Sequence, residues 1–294
     1  MARDAAALGP DDLILCAGTL PRASFRERVE AAAAGGFAGI SLWLPQYARA
    51  RAEGLSDADL RELLAGHGLV VGELEAVVGA LSAPETAMRP HANEVECWRI
   101  ADALGGRSMS LVEGAGPPLD VAPAADAFAA VSDRGAAHGL LVHVEFWPGS
   151  RADVSTALAI VVAAGRPNGG VLADAWHVLR GPGSTDRLRA APDARVLAVQ
   201  LSDGALDVAG DYLDETMHRR RLPGDGELDL VGFVRLLDDV GSTAPIGVEV
   251  LSDALAALPP LEVGRRAGDA ARAVCARARR QSGSVSARPP TTRR

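Results

Sequence analysis

Cysteine is scarce in this chain of 294 residues, and its few copies stand far apart. The sequence contains three, Cys16, Cys97 and Cys275. An odd number at wide spacing does not indicate a disulfide framework, and no CxxC pair indicates a structural zinc site. This usage is typical of a reducing compartment, so we expect a cytoplasmic location.

Long apolar runs are also missing. No segment approaches the roughly 20 consecutive apolar residues that are needed to cross a bilayer. Residues 1–10 lack the apolar core behind a basic start that marks a secretory signal. Neither export nor membrane insertion is therefore predicted.

The chain has no excess of positive charge. Its 30 Lys and Arg residues are outnumbered by 38 Asp and Glu residues, which gives a net charge of -8. Proteins that bind nucleic acid usually carry a basic face, so we expect no nucleic-acid partner. Three consecutive arginines at 219–221 are typical of a solvated loop, with a phosphate or substrate contact as the alternative.

The motifs of several common enzyme classes are absent. Neither GxGxxG nor GxxxxGK[ST], the glycine-rich loops that hold nucleotide phosphates, occurs in the sequence. The GxSxG turn that exposes a nucleophilic serine is absent too. Nucleotide-dependent and serine-hydrolase chemistry therefore lack their usual anchors.

What the chain does contain is a recurring unit, a short apolar β-like run followed by an Ala- and Leu-rich segment with helical spacing. The eight runs are residues 12–17, 38–44, 69–76, 108–112, 140–146, 170–175, 195–201 and 246–251. Strands alternating with helices imply a parallel sheet, and about eight such units in a chain of this length favour a closed barrel. We predict an α/β protein with a single parallel (β/α)8 TIM barrel.

Helix starts and the C-terminal composition set the limits of this barrel. Ser24 with Glu27 three residues later forms a capping box, and Ser56 precedes acidic residues in a first helical turn. From residue 281 onward Ser, Pro, Thr and Arg dominate, and little is left to bury. The barrel is therefore predicted over residues 1–280, with a disordered tail over 281–294.

One polar side chain lies near the C-terminal end of each of the last four apolar runs. These residues are Glu145, Asp174, Gln200 and Glu249. Strand side chains alternate between faces, and barrel enzymes keep their active sites at this end of the strands. Burying three carboxylates together is costly unless a cation balances them, so the pattern predicts a divalent metal held by these four residues.

The segments around these residues resemble the xylose-isomerase-like sugar phosphate isomerase/epimerase superfamily. The similarity lies in VHVEFWP around Glu145, DAWH at residues 174–177, VQLSD around Gln200, PGDGELDL at residues 223–230 and GVEV around Glu249. It covers nearly the whole of the predicted barrel. In that superfamily two glutamates, an aspartate and a histidine bind Mn, Mg, Co or Zn.

Gln200 departs from the superfamily pattern, because it stands where a histidine is usual. An amide oxygen is a harder and weaker ligand than an imidazole nitrogen. We therefore expect Mn or Mg to be preferred, with Co or Zn as alternatives.

The resemblance implies proton transfer next to a carbonyl group, through a metal-stabilised enediolate. Glu145 and Glu249 would stand on opposite sides of the substrate, one removing a proton and the other returning it. The substrate would be a small polyol, ketose or cyclitol. Delivery of the proton to the opposite face gives an epimerase, delivery to the neighbouring carbon an isomerase, and loss of a β-hydroxyl a dehydratase.

Further residues are candidates for supporting roles. The proposed substrate contacts are His177, Arg180, Glu75, Trp147 and one arginine of the 219–221 run, for which Arg221 is selected. Asp203 and His143 are expected to support the ligands from behind. The alternative is an exposed loop position for His177, packing for Trp147 and a turn for Asp203. Glu73 and Glu75 have the strand parity to face the barrel interior.

Several classes of function stay open. A metal-dependent sugar or cyclitol isomerase or epimerase leads, followed by a lyase such as an inosose or 3-dehydroshikimate type of dehydratase. An endonuclease fits poorly, because the chain has only six histidines and an acidic balance. A barrel that has lost its metal and its activity is the non-enzymatic alternative, and a homo-oligomer is left open.

Overall fold

Eight parallel strands close into one barrel, and they follow each other around it in the order of the sequence. The computed structural model of the protein describes residues 4–82, 90–191 and 195–285. The strands are β1 (Leu13–Leu15), β2 (Gly39–Trp43), β3 (Val70–Val78), β4 (Ser108–Val112), β5 (Leu141–Glu145), β6 (Gly169–Asp174), β7 (Val196–Leu201) and β8 (Ile246–Val248). Pairing of β1 with β8 closes the barrel. The predicted fold class is confirmed, and each predicted apolar run overlaps one strand.

Helices cover the outside of the barrel. Among the described residues they are α1 (Phe25–Ala34), α2 (Leu44–Ala52), α3 (Asp57–Gly66), α4 (Ala92–Leu104), α5 (Val121–Ala136), α6 (Val154–Ala164), α7 (Ala175–Arg180), α8 (Ser184–Ala190), α9 (Tyr212–His218), α10 (Leu230–Asp239), α11 (Asp253–Ala256) and α12 (Pro260–Val285). Short 3-10 helices span Ala5–Ala7 and Ala17–Thr19. In the described part of the chain, none of these helices has the length and apolarity required to span a membrane.

Local sequence signals set the helix starts. Ser24 Oγ accepts a hydrogen bond from the backbone N–H of Glu27, and the Glu27 carboxylate accepts one from the N–H of Ser24. Ser56 and Asp59 form the same reciprocal pair at the start of α3. Each pair satisfies N–H groups that have no partner inside the helix.

The first and last long helices meet at glycines. A Cβ atom on Gly35 would lie 2.2 Å from the carbonyl oxygen of Gly264, and one on Gly264 would lie 2.1 Å from the carbonyl oxygen of Ala31. Only glycine allows α1 and α12 to approach so closely, and their contact seals the barrel where its two ends meet. Helix α12 continues through residues 281–285, the start of the segment predicted as a disordered tail, while residues 286–294 lie outside the described residues.

Burial explains why the strands read as continuous apolar runs. Strands β6 and β7 are buried along their whole length, with one face against the barrel interior and the other against helices. The few polar residues in these strands are therefore also buried. In a parallel barrel their C-terminal ends meet at one mouth, which is where the candidate site lies.

Candidate active site

Three side chains at the mouth form a group that can hold a metal ion. Glu145 ends β5, Asp174 ends β6, and His177 lies in the first turn of α7. One ligand atom from each lies within 4.8 Å of the other two. Nε2 of His177 lies 3.6 Å from Oδ2 of Asp174 and 3.7 Å from Oε1 of Glu145.

Gln200 lies beside this group on the neighbouring strand, where it is the register partner of Asp174. Its side chain is buried, and Oε1 has no hydrogen-bond partner among the described residues. A buried carbonyl oxygen without a partner is costly, so this atom fits the role of a ligand to a cation. Glu249 follows β8 directly and is also buried.

A buried arginine lies among the carboxylates. Nη1 of Arg220 lies 2.7 Å from Oδ2 of Asp174 and 3.4 Å from Oε2 of Glu249, while Nε donates to the carbonyl of Thr216 at 3.0 Å. Arg221, the arginine selected from the sequence, is exposed. The structure thus brings Arg220, and not Arg221, to the predicted ligands.

Backbone pairing on both sides of Arg220 fixes this arrangement. The backbone of Arg219 pairs with Ser252, and that of Arg221 pairs with Asp203. Between them the N–H of Arg220 donates to the carbonyl of Leu251 at 3.0 Å, and its side chain is buried while its two neighbours are exposed. Arg219 is the C-cap of α9 with a ψ of 12°, so the run is not a regular strand and strand parity alone does not identify Arg220.

Burial dominates the electrostatics of the carboxylates. It raises the pKa of Glu145 to about 8, with Asp174 and Glu75 adding to the shift as neighbouring negative charges. Burial also raises the pKa of Glu249 well above its ordinary value, and the charge of Arg220 opposes that shift. Both groups therefore resist ionisation when no cation is bound.

His177 is neutral in this setting. Burial lowers its pKa to about 4, against an opposing attraction from the carboxylate of Asp174. Its other ring nitrogen, Nδ1, lies 2.6 Å from the hydroxyl oxygen of Tyr212. A neutral imidazole has one N–H donor and one acceptor nitrogen, so His177 can form hydrogen bonds on both sides of its ring without a net positive charge.

The residues present fit a divalent cation. Burial of three carboxylates was expected without a protein counter-charge. Arg220 supplies one positive charge against the carboxylates of Glu145, Asp174 and Glu249. Two negative charges would remain with all three ionised, which is the charge of one divalent ion. The unpartnered Oε1 of Gln200 supplies a further oxygen donor of the kind that Mg and Mn accept.

Asp203 holds the loop that follows Arg221. Its buried carboxylate accepts hydrogen bonds from the backbone N–H groups of Gly204, Gly224 and Leu228, at 2.8, 2.9 and 3.1 Å. The PGDG loop is thereby fixed next to the segment that carries Arg220. Asp203 has no contact with the carboxylate group itself in the hydrogen bonds of the described residues.

Arg180 is turned away from the carboxylates. Its guanidinium lies 3.5 Å from the ring centroid of Trp176, pairs with Glu215 at 3.5 Å and donates from Nε to the carbonyl of Ala205 at 3.1 Å. These contacts tie α7 to α9 and to the segment before it. The structure thus places Arg180 beside the site but engaged with protein groups.

Two glutamates of β3 face the barrel interior, as strand parity predicted. Glu75 is buried, with Oε2 accepting from Nε1 of Trp43 at 2.9 Å and Oε1 unpartnered among the described residues. Deeper in the barrel, Oε1 of Glu73 lies 3.3 Å from Nε2 of His143. Burial lowers the pKa of His143 to about 3, so it is a neutral interior residue two positions before Glu145.

A cavity of about 200 Å³ adjoins His177. Trp147 lines it, and its Nε1 donates to the carbonyl of Glu113 at 3.0 Å. Polar side chains of Asp153, Ser155, Ser184 and Arg187 contribute to the wall, together with apolar ones. The cavity reaches the candidate site at His177, while the four predicted metal ligands do not line it.

A family model described as xylose isomerase-like TIM barrel matches residues 29–274. The chain belongs to this family. Among curated proteins, a 3-dehydroshikimate dehydratase from Pseudomonas aeruginosa is 28% identical over 251 residues, which cover 82% of this chain and 38% of that protein. A 3-dehydroshikimate dehydratase from Pseudomonas putida is 32% identical over 100 residues, 34% of this chain and 16% of that protein. The chain thus matches less than half the length of either relative.

Solved structures of xylose isomerase-like barrels share the fold. A fusion of such a barrel with a 4-hydroxyphenylpyruvate dioxygenase gives a TM-score of 0.84 at 20% identity, covering 96% of this chain and 45% of that one. The IOLI protein with a zinc atom gives 0.78 at 18%, covering 90% and 98%. D-allulose 3-epimerase from Methylomonas sp. gives 0.69 at 18%, covering 94% and 100%. At these identities the likeness shows the fold alone.

Proposed function

We propose that this barrel is a divalent-metal-dependent lyase that removes water from a carbocyclic β-hydroxy ketone of the 3-dehydroshikimate type. The observation that carries the proposal is the likeness to the dehydratase from Pseudomonas aeruginosa, which extends over 82% of this chain. The lyase was the second expectation from the sequence. It now leads, because both curated relatives described above are dehydratases of one kind.

The site geometry is consistent with this chemistry. A ketone that loses a β-hydroxyl needs a base at the carbon next to the carbonyl and a donor near the departing oxygen. Glu145 and His177 converge on one point, with Nε2 of His177 3.7 Å from Oε1 of Glu145. Glu249, held by Arg220, provides a second carboxylate on the β8 side of the mouth.

Glu145, Asp174, Gln200 and Glu249 would hold the metal, which when bound polarises the substrate carbonyl and so acidifies the neighbouring C–H bond. One of the two glutamates takes that proton. His177 donates a hydrogen bond to a substrate oxygen, and Trp147 and Glu75 border the ring. Dehydration of 3-dehydroshikimate releases one water and gives the aromatic 3,4-dihydroxybenzoate.

The experiment is a turnover assay on metal-free protein and on protein reloaded with Mg or Mn. 3-Dehydroshikimate, inososes and ketoses serve as substrates, and product NMR identifies the reaction. Metal-dependent formation of 3,4-dihydroxybenzoate is expected. Stoichiometric metal with no unsaturated product from any substrate would contradict the lyase.

An isomerase or epimerase of small sugars or cyclitols is the second candidate. It is favoured by the presence of two glutamates at the mouth, one after β8 and one ending β5, as two-sided proton transfer requires. The two reactions separate in deuterated water: an epimerase introduces deuterium into a product that keeps all its oxygens, whereas the lyase product has lost water. Absence of metal and of both reactions would favour the non-catalytic barrel.

A further inference from the structure

Tyr212, a residue that no sequence pattern singled out, touches the candidate site through His177. Its hydroxyl oxygen lies 2.6 Å from Nδ1 of the imidazole, and the two rings are tilted by 41° with centroids 5.9 Å apart. On the other side of the ring, Nε2 faces the carboxylates of Asp174 and Glu145 at 3.6 and 3.7 Å. The imidazole thus lies between one phenol and two acids.

The two sides of the ring determine which nitrogen carries the proton. In a neutral imidazole one nitrogen donates and the other accepts. If Nδ1 carried the proton, the lone pair of Nε2 would face two carboxylates, and the Tyr212 hydroxyl proton would have no acceptor among the hydrogen bonds of the described residues. If Tyr212 donates to Nδ1, the N–H of Nε2 faces the acids. Both contacts are then favourable.

We propose that Tyr212 is a positioning residue: its hydroxyl donates to Nδ1 and holds His177 in the tautomer with the proton on Nε2. His177 then presents an N–H donor to an oxygen of the substrate and is not a ligand of the metal. The part of this inference that concerns the substrate rests on the proposed function. The tautomer and the ligand set do not.

The anchoring of α9 keeps Tyr212 in place. Nε1 of Trp176, the residue before His177, donates to Oγ1 of Thr216 at 2.9 Å, and Oγ1 of Thr216 donates to the carbonyl of Tyr212 at 2.7 Å. Asp211 is the N-cap of helix α9, and its carboxylate accepts a hydrogen bond from the N–H of Asp214 at 2.8 Å. The first turn of α9 and the first turn of α7 are therefore tied together at two adjacent residues.

The tautomer of His177 also decides whether this residue can be a metal ligand. Glu145, Asp174 and His177 lie close enough for all three to bind one ion. A nitrogen that carries a proton has no lone pair to offer, so the Nε2–H tautomer leaves Glu145 and Asp174 with Gln200 and Glu249 as the ligands. Replacement of His177 should then impair turnover of the substrate and change the metal affinity little.

The first test is nitrogen-15 NMR of the full chain, labelled at histidine and loaded with Mg. Two-bond couplings distinguish Nδ1–H from Nε2–H, and His177→Gln assigns the signal among the six histidines. The expected signal is Nε2–H in the wild type and a shift toward Nδ1–H in Tyr212→Phe. Tyr47, whose hydroxyl contacts Asp57 and Arg99, is the other tyrosine of the chain, and Tyr47→Phe should leave the signal unchanged. An Nδ1–H signal in the wild type would overturn the proposal.

The second test compares metal affinity. His177→Gln should weaken Mn binding by no more than about tenfold, the lower bound for a residue that only contacts the ligands, whereas Asp174→Asn should weaken it by more than about a hundredfold. An equal loss in both variants would make His177 a ligand and refute the inference.

A third readout is kinetic. Tyr212→Phe should lower kcat by about tenfold with a smaller change in KM. The reason is that the imidazole of His177 is still present but is no longer held with its Nε2–H toward the substrate. An unchanged kcat in Tyr212→Phe would contradict the positioning role. If the wild type shows no dehydration but the NMR and metal results hold, the proposed function fails and the tautomer assignment stands.

Discussion

Nη1 of Arg220 lies 2.7 Å from Oδ2 of Asp174, and both side chains are buried. The guanidinium is therefore an internal counter-ion for the carboxylate group at the mouth of the barrel. The charges of Asp174 and Glu249 keep the pKa of Arg220 raised although burial alone would lower it. Among the described residues, Arg220 is the cationic side chain that contacts both Asp174 and Glu249.

Arg220→Met should destabilise the metal-free protein. Removing one partner of a buried ion pair leaves an uncompensated charge, which costs about 3–5 kcal/mol. Urea unfolding in the presence of a chelator measures this loss. Arg221→Met is the matched control, since Arg221 is exposed and should change stability by less than about 0.5 kcal/mol. Equal effects in the two variants would argue against the buried pair.

Glu145→Gln and Glu249→Gln should each lower kcat by about a thousandfold or more, because both remove a carboxylate needed for proton transfer and metal binding. Circular dichroism should show an intact barrel in both. Glu262→Gln, an exposed change on α12, should keep full activity. If either mouth variant retained wild-type turnover, its assignment to the acid/base pair would be wrong.

Gln200→His should shift metal preference toward Zn and Co, because an imidazole nitrogen is a softer and stronger ligand for these ions than an amide oxygen. The measurement is competitive titration of metal-free protein with Mg, Mn, Co and Zn. Gln200→Leu, which has no donor atom, is the control and should weaken all four. An unchanged order of affinities in Gln200→His would place residue 200 outside the ligand set.

Metal-free protein should lose stability as the pH rises. The folded-state pKa of Glu145 is raised to about 8, so its contribution to stability is complete below its ordinary value of about 4.5 and is lost as the pH approaches 8. Glu145→Gln removes this titration, and its Tm should therefore fall less than that of the wild type over the same range. Calorimetry across the range checks this.

His177 provides the opposite dependence. Its folded-state pKa is lowered to about 4, so its contribution is present above about 6.5 and lost as the pH falls toward 4. Comparison of Glu145→Gln with the wild type cancels this common background. Addition of Mg should reverse the wild-type trend at high pH, because a bound cation favours ionised carboxylates. A wild-type Tm that rose between about pH 6.5 and 8 in chelator, where His177 no longer titrates, would count against the buried acids.

The eight strands and the glutamates at their ends followed from local patterns. Apolar runs at regular intervals specify a parallel barrel, and two-residue parity specifies which side chain of a strand faces inward. Glu145, Asp174, Gln200 and Glu249 could therefore be named before any coordinates, and the structure buries the last three and leaves Glu145 partly exposed. The alternation of side chains between the two faces of a strand also explains why Glu73 and Glu75 were expected to face the barrel interior.

The sequence by itself thus determined the barrel, its mouth and the acids that lie there. Tertiary structure alone decided that Arg220 is their counter-ion and that Tyr212 contacts His177. These pairs are separated by 46 and 35 residues, and each includes a residue from the segment between β7 and β8. Periodicity fixes the direction of a side chain within one strand or helix, whereas the path of a long connection depends on packing against the whole barrel.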